Sequence, residues 1–245
     1  MDEEVTSRGA EVVATEIRPR SDRRLTAMFH FASLRPVSGP VRPRMAGSAR
    51  NGGEAEDPAV ILSIGRAVEK KGHDDLLAAL ARLPDGLHWR FELVGGGPLQ
   101  ASLRKLAERL GIAGRCTFHG AQAQQAVLDA YRRADLFALM SRQAGDGDRD
   151  GLPNVLMEAQ SQGLAVLATD ISAIPELIVP DDNGLLVAPG DIDGAAAALK
   201  RLIMDAALRD RLGAAGRRRV EEEFALDPCI ESLAARFGLV PAAVS

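Results

Sequence analysis

Two acids with seven residues between them, Asp150 and Glu158 in DGDRDGLPNVLMEA, frame the stretch of this chain best suited to chemistry. Gly151-Leu152-Pro153 joins a polar loop to an apolar, helix-forming run, and proline is favoured just inside a helix start. Asp150 then stands where a capping carboxylate would. A helix N-terminus presents unpaired N–H groups and a partial positive charge, which suit a phosphate. Glu158 follows about two turns later at 3.6 residues per turn. The combination offers a phosphate site in the middle and hydroxyl-binding groups on either side, which is the outline of a nucleotide-sugar. A calcium loop is the competing reading of Asp146, Asp148, Asp150 and Gly151. Its twelfth position is Met157 rather than an acid, and Pro153 would interrupt it.

Basic residues occur where such a ligand would need them. Gly65-Arg66 and Lys70-Lys71-Gly72 bracket one loop. Arginine offers a planar fork to phosphate oxygens and lysine a point charge. A solvated turn accounts for Lys70 alone, whereas Arg66 and Lys71 together suit a diphosphate. Gly95-Gly96-Gly97 is neither a P-loop nor a GxGxxG fingerprint. It reads as a tight turn or as a point of close ligand approach. His119, between Phe118 and Gly120, reads more readily as a packed or hydrogen-bonded strand-end residue than as a catalytic base.

These loops need a scaffold, and the hydropathy pattern supplies one. Short apolar runs at 59–64, 89–94, 115–119, 136–140, 165–168 and 184–187 alternate with amphipathic segments. Helices are expected near 72–83, 98–110, 124–133, 152–162, 192–204, 207–222 and 226–237. Strand alternating with helix means βαβ units and a parallel sheet covered on both faces. Six strands in this order predict an α/β, doubly wound, Rossmann-like domain over 58–238, with its ligand at the carboxyl ends of the strands.

Composition narrows the alternatives. The 245 residues are 46% hydrophobic and 26% charged, ordinary for a globular chain, and the net charge of −4 gives no footprint for nucleic acid. Cys116 and Cys229 lack metal-ligand spacing and read as reduced structural thiols of a cytoplasmic protein. No apolar run approaches the ~20 residues that span a bilayer, so at most a peripheral membrane contact is expected. Residues 1–57 differ from the rest: between Arg18 and Arg50 there are eight arginines, one acid and four prolines. They read as an irregular, disordered arm or linker remnant, and 239–245 as a tail.

Across 57–237 the chain resembles the family 4 glycosyltransferases, which have the GT-B fold. The motifs, in order, are LSIGRAVEKKG (62–72), LVGGGPL (93–99), RCTFHG (115–120), ADLFALMS (134–141), the 150–158 acids, AIPELI (173–178) and NGLLVAPGD (183–191). The wording around 146–159 leans toward exopolysaccharide and colanic-acid-type transferases. The resemblance implies the C-terminal, donor-binding half of the fold. It also implies retaining transfer from a nucleotide-sugar to a polysaccharide or lipid-linked acceptor, with no metal or other cofactor. By the same resemblance Arg66 and Lys71 contact the diphosphate, Asp150 the transferred sugar and Glu158 the ribose hydroxyls. Phe118, His119 and Gly120 hold the nucleobase edge, while Gly65, Gly96, Gly151, Leu152 and Pro153 line the donor.

Three departures matter. Relatives carry Glu at the position of Asp150, one methylene longer, and glycines where this chain has Ser172 and Ala173. The acceptor domain, roughly 150–200 residues on domain-size grounds, is missing. The expectation is therefore a truncated or split gene product whose final helix, 226–237, leaves an apolar face for a separate acceptor domain or self-association. A fragment that binds nucleotide-sugar without turnover is the alternative, and a non-binding remnant the third reading.

Overall fold

The computed structural model of this protein describes residues 48–224. Six strands form one sheet: β1 (Ala59–Ile64), β2 (Trp89–Val94), β3 (Cys116–Gly120), β4 (Leu136–Leu139), β5 (Ala165–Thr169) and β6 (Leu185–Val187). All neighbours are parallel, in the order β3-β2-β1-β4-β5-β6. The helices are α1 (His73–Leu80), α2 (Gln100–Arg109), α3 (Gln124–Arg133), α4 (Asn154–Ser161), α5 (Ile174–Leu177), α6 (Ile192–Met204) and α7 (Ala206–Glu223). This is the doubly wound, Rossmann-like order, with its reversal between β1 and β4.

The period-two alternation of the strands divides the core into two layers. Ile61, Phe91, Ala138 and Leu167 face α1, α2 and α6, packing against Leu76, Leu77, Leu103 and Leu199. Leu62, Phe137, Leu139 and Val166 face the other way, against Tyr131 of α3, Leu156 of α4 and Ile174 of α5. Central strands buried on both faces explain why β1, β4 and β5 read as near-continuous apolar runs, with only Ser63 and Thr169 polar.

The pairing weakens where the order reverses. β1 matches β2 over six residue pairs, from Ala59↔Trp89 to Ile64↔Val94. Against β4 it matches only Ile61↔Leu136 and Leu62↔Phe137. The carboxyl ends of β1 and β4 therefore separate, and the loops that follow them flank the opening, as expected for a ligand crevice in an open sheet.

Residues 48–57 contain no helix or strand, yet they are tied to the domain. Buried Arg209 donates to the Ser48 carbonyl at 3.0 Å and to that of Arg50. The same guanidinium donates to Leu202 and Ile203 O at 2.7 and 2.8 Å, closing the end of α6. Arg50 in turn pairs with Asp57 at 2.6 Å and with buried Asp135 at 3.2 Å. The rest of the basic arm, the 226–237 helix and Cys229 lie outside the described residues.

Candidate functional site

The loop after β1 and the loop after β4 meet at the switch point. Gly72 makes this approach: its φ is +58°, and a Cβ there would lie 1.8 Å from the Met140 carbonyl oxygen. Only glycine fits a left-handed position so close to another backbone. Three further contacts fasten the loops. Arg142 N–H donates to Lys70 O at 2.9 Å, and Gly145 N–H donates to Glu69 Oε1 at 3.1 Å. The Arg142 guanidinium spans Asp74 (2.9 Å) and Asp75 (2.8 Å) on α1.

The candidate phosphate-binding cations converge here. Lys71 Nζ lies 2.6 Å from Asp150 Oδ2, with both side chains largely buried. Lys70 reaches Asp148 at 3.0 Å and Asp150 at 3.4 Å, and these carboxylates raise its pKa. Arg66 is exposed on the same loop. The alkyl stem of Lys71 would stand 3.5 Å from a Cβ at Gly65, so it runs along that glycine.

Asp150 is not the helix cap expected from its position. The residue at the N-cap of α4 is Pro153, extended at φ −65° and ψ 121°, and no side chain accepts from the first turn. The helix begins at Asn154 rather than at 152. Coulomb attraction explains the difference: two ammonium groups compete for Asp150 against neutral N–H donors, and charge-assisted contacts are roughly twice as strong. Among the described residues, the first turn of α4 therefore keeps its partial positive charge with no capping side chain and no acid of its own. Gly151 and Leu152 complete the turn, and Gly151 O accepts from Ala173 N at 3.1 Å. Ser172 beside it takes φ +54°, the left-handed region where the related sequences were expected to carry glycine.

Glu158 lies about one turn into α4, half-buried, with Oε2 accepting from the Tyr131 hydroxyl at 2.9 Å. Tyr131 is 2% exposed, and burial followed by the Glu158 charge pushes its phenol well above the ordinary value. Nothing in the spacing marks this partner, because a lone tyrosine on the apolar face of a helix reads as core.

At the other end of the crevice the glycine-rich turn is stitched to both neighbours. Gly65 N donates to Val94 O, Ala67 N to Gly96 O, and Gly95 N to Gly120 O, at 2.8–3.0 Å. A Cβ at Gly95 would meet the Gly65 carbonyl at 1.9 Å, so this run is a tight turn. The 118–120 carbonyls already have partners. Phe118 O accepts from Arg104 at 2.6 Å, His119 O from Gln122 at 2.8 Å, and Gly120 O from Gly95. The His119 ring lies 3.0 Å from Glu92 on the exposed side of β3, a surface pair rather than a base aimed at the switch point.

Asp148 and Asp150 are thus engaged by lysines, and among the described residues no group of three or more His, Cys, Asp or Glu stands together to hold a metal. Cys116 is a free thiol whose pKa burial raises to about 12, which leaves it unreactive.

The family model for glycosyl transferases group 1 matches residues 48–219. The chain belongs to that family. The match begins at Ser48, whose carbonyl accepts from Arg209. The group 1 chain is 37% identical over 186 residues to the GDP-mannose-dependent alpha-(1-6)-phosphatidylinositol monomannoside mannosyltransferase of Mycobacterium tuberculosis, covering 73% of this chain and 47% of that one. It is 36% identical over 169 residues to the lipopolysaccharide core biosynthesis glycosyltransferase LpsE of Rhizobium meliloti, covering 69% and 46%. A solved C-terminal domain of a group 1 glycosyl transferase, LpcC of Francisella tularensis, superposes with a TM-score of 0.58 at 25% identity. That match covers 74% of this chain and 95% of the solved one. The chain spans about half the length of the curated relatives it matches. Its fold is the Rossmann-like C-terminal half of a GT-B glycosyltransferase. No helix among the described residues is long and apolar enough to cross a membrane.

Proposed function

We propose that this chain is the donor-binding half of a retaining, cytoplasmic glycosyltransferase that moves a sugar from a nucleoside-diphosphate sugar to a polysaccharide or lipid-linked acceptor. One observation carries the reading: Lys71, Asp150 and the uncapped first turn of α4 stand together at the switch point, with Glu158 in the next turn. In this reading Arg66, Lys71 and the α4 N-terminus hold the diphosphate and stabilise its charge as the sugar–oxygen bond breaks. Asp150 holds a hydroxyl of the transferred sugar and Glu158 the ribose. No divalent metal is needed, because those cationic groups neutralise the leaving diphosphate, and EDTA is expected to leave donor binding unchanged. The mannosyltransferase relative named above depends on GDP-mannose, and its 37% identity makes a guanine nucleotide one of the donors to try. Half coverage of the relatives favours donor binding without turnover by this segment alone, with the acceptor held by a separate domain.

Calorimetric titration of the chain with UDP, GDP and ADP tests the reading, alongside Glu158→Ala and Arg66→Ala. Binding of one diphosphate, weakened at least tenfold in each variant, is the expected result. A folded wild-type chain that binds none of the three would overturn it.

A further inference from the structure

Tyr131 and Glu158 sit on different helices, 27 residues apart, and meet through one hydrogen bond of 2.9 Å. The phenol has one proton to give. Its second neighbour is the Val155 carbonyl at 3.3 Å, in the first turn of α4. The shorter contact goes to the charged acceptor, as expected for a charge-assisted bond. The ring is fixed independently: it is buried and packs against Phe137 with centroids 6.0 Å apart. Because burial and the carboxylate hold the phenol protonated at any working pH, the hydroxyl is a permanent donor. A half-buried glutamate has three side-chain torsions to lose when it takes a defined geometry, and one pinned oxygen removes most of that freedom before a ligand arrives.

We infer that Tyr131 is a positioning residue for Glu158, holding Oε2 so that the rest of the carboxylate is presented to the two ribose hydroxyls, and that the pair sets selectivity for ribonucleotides over deoxyribonucleotides. The inference rests on the donor-binding reading above. It goes further by assigning a role to a residue that would not touch the ligand. The alternative is a core tyrosine whose hydroxyl merely satisfies itself on the nearest acceptor.

The test is a cycle of Tyr131→Phe, Glu158→Ala and the double variant. Each is titrated calorimetrically with whichever of UDP, GDP or ADP the wild type binds, and with its 2′-deoxy and 3′-deoxy counterparts. Tyr131→Phe keeps the buried ring, and thermal melts check that it folds. It is expected to weaken the ribonucleotide about tenfold and the deoxy forms less than threefold, so that the ribose preference collapses. Glu158→Ala removes the same preference, and adding Tyr131→Phe to it has no further effect. Equal weakening of all three ligands by Tyr131→Phe, or an undiminished ribose preference, would overturn the inference while leaving donor binding intact. Absence of nucleotide binding by the wild type would overturn the donor reading itself, and this inference with it.

Discussion

His73 makes the stability of this domain sensitive to acid, by an amount that follows from its position. It opens α1 at 2% exposure, immediately after the Gly72 turn that joins the two site loops. Burial is the largest cause and lowers its pKa from 6.5 to about 4; a hydrogen bond with the Arg66 backbone opposes it, the Lys71 charge adds to it, and Asp74 opposes it least. The native state therefore keeps a neutral imidazole through a range in which the unfolded chain takes up a proton. Stability from this residue is fully present above pH 6.5 and falls as the pH drops toward 4. It levels off below that, where both states are protonated. At 1.36 kcal/mol per pH unit the interval from 6.5 to about 4 is worth about 3 kcal/mol, a large share of the ~5–15 kcal/mol that holds a domain together. The assay is urea unfolding followed by circular dichroism at half-unit steps from pH 7.5 to 4, on wild type and His73→Gln. Carboxylates titrate in both proteins, so the difference between the two profiles isolates the imidazole. Wild type is expected to lose about 3 kcal/mol more than the variant across the interval. Parallel profiles would refute the argument, and would mean that the ring meets water or a proton acceptor in solution.

Other perturbations follow from the same loops. Gly72→Ala puts a side chain on the Met140 carbonyl at φ +58° and should cost more than ~3 kcal/mol, whereas Gly163→Ala, at φ +72° with no heavy atom within 4 Å, should cost only ~1 kcal/mol. Thermal melts of the two variants separate steric overlap from backbone strain. Arg142→Ala removes two partly exposed ion pairs to α1, for which about 1 kcal/mol is a fair total. The melting temperature should fall by ~2–4 °C, with a smaller drop in 1 M salt. Melts at two ionic strengths measure this, and a salt-independent loss would point to packing instead.

The scaffold was legible in the sequence because its signals are local. Buried parallel strands such as AVILSI show as β-branched apolar runs, and each is observed within one or two residues of its expected bounds. Glycines at 72, 95 and 97 stand where backbones approach, since a Cβ at each would overlap a neighbouring carbonyl. What sequence reading missed is long-range and carried by single residues. Lys71 and Asp150 are 79 positions apart, so nothing local in the sequence set these cations against the expectation of a cap at Asp150. Arg209 lies in a helix rich in arginine, and nothing in spacing marks it as the one that anchors residues 48–50 from inside. Tyr131 carries the same difficulty: its apolar ring fits the core pattern, and only its hydroxyl serves the site.

The pairing of Lys71 with Asp150 bears on which groups supply donor affinity. A diphosphate that takes Lys71 must draw it from a carboxylate already at 2.6 Å, so one charge-assisted contact is exchanged for another. The net gain is then well below the ~1.5–3 kcal/mol that a hydrogen bond to a charged group contributes on its own. Exposed Arg66 and the uncapped first turn of α4 surrender no such partner. Free diphosphate should therefore lose more affinity in Arg66→Ala than in Lys71→Ala, and Asp150→Asn should tighten it severalfold by releasing the ammonium. The sugar changes the balance, because its hydroxyl can satisfy Asp150 at the moment the phosphate claims Lys71. In this scheme the ion pair favours intact nucleotide-sugar over the spent nucleotide, and the shorter Asp150 side chain contributes by reaching back to the lysine. Calorimetry of Asp150→Asn with the diphosphate and with its sugar conjugate decides the matter. If the variant tightens both ligands equally, the ion pair does not discriminate between donor and product.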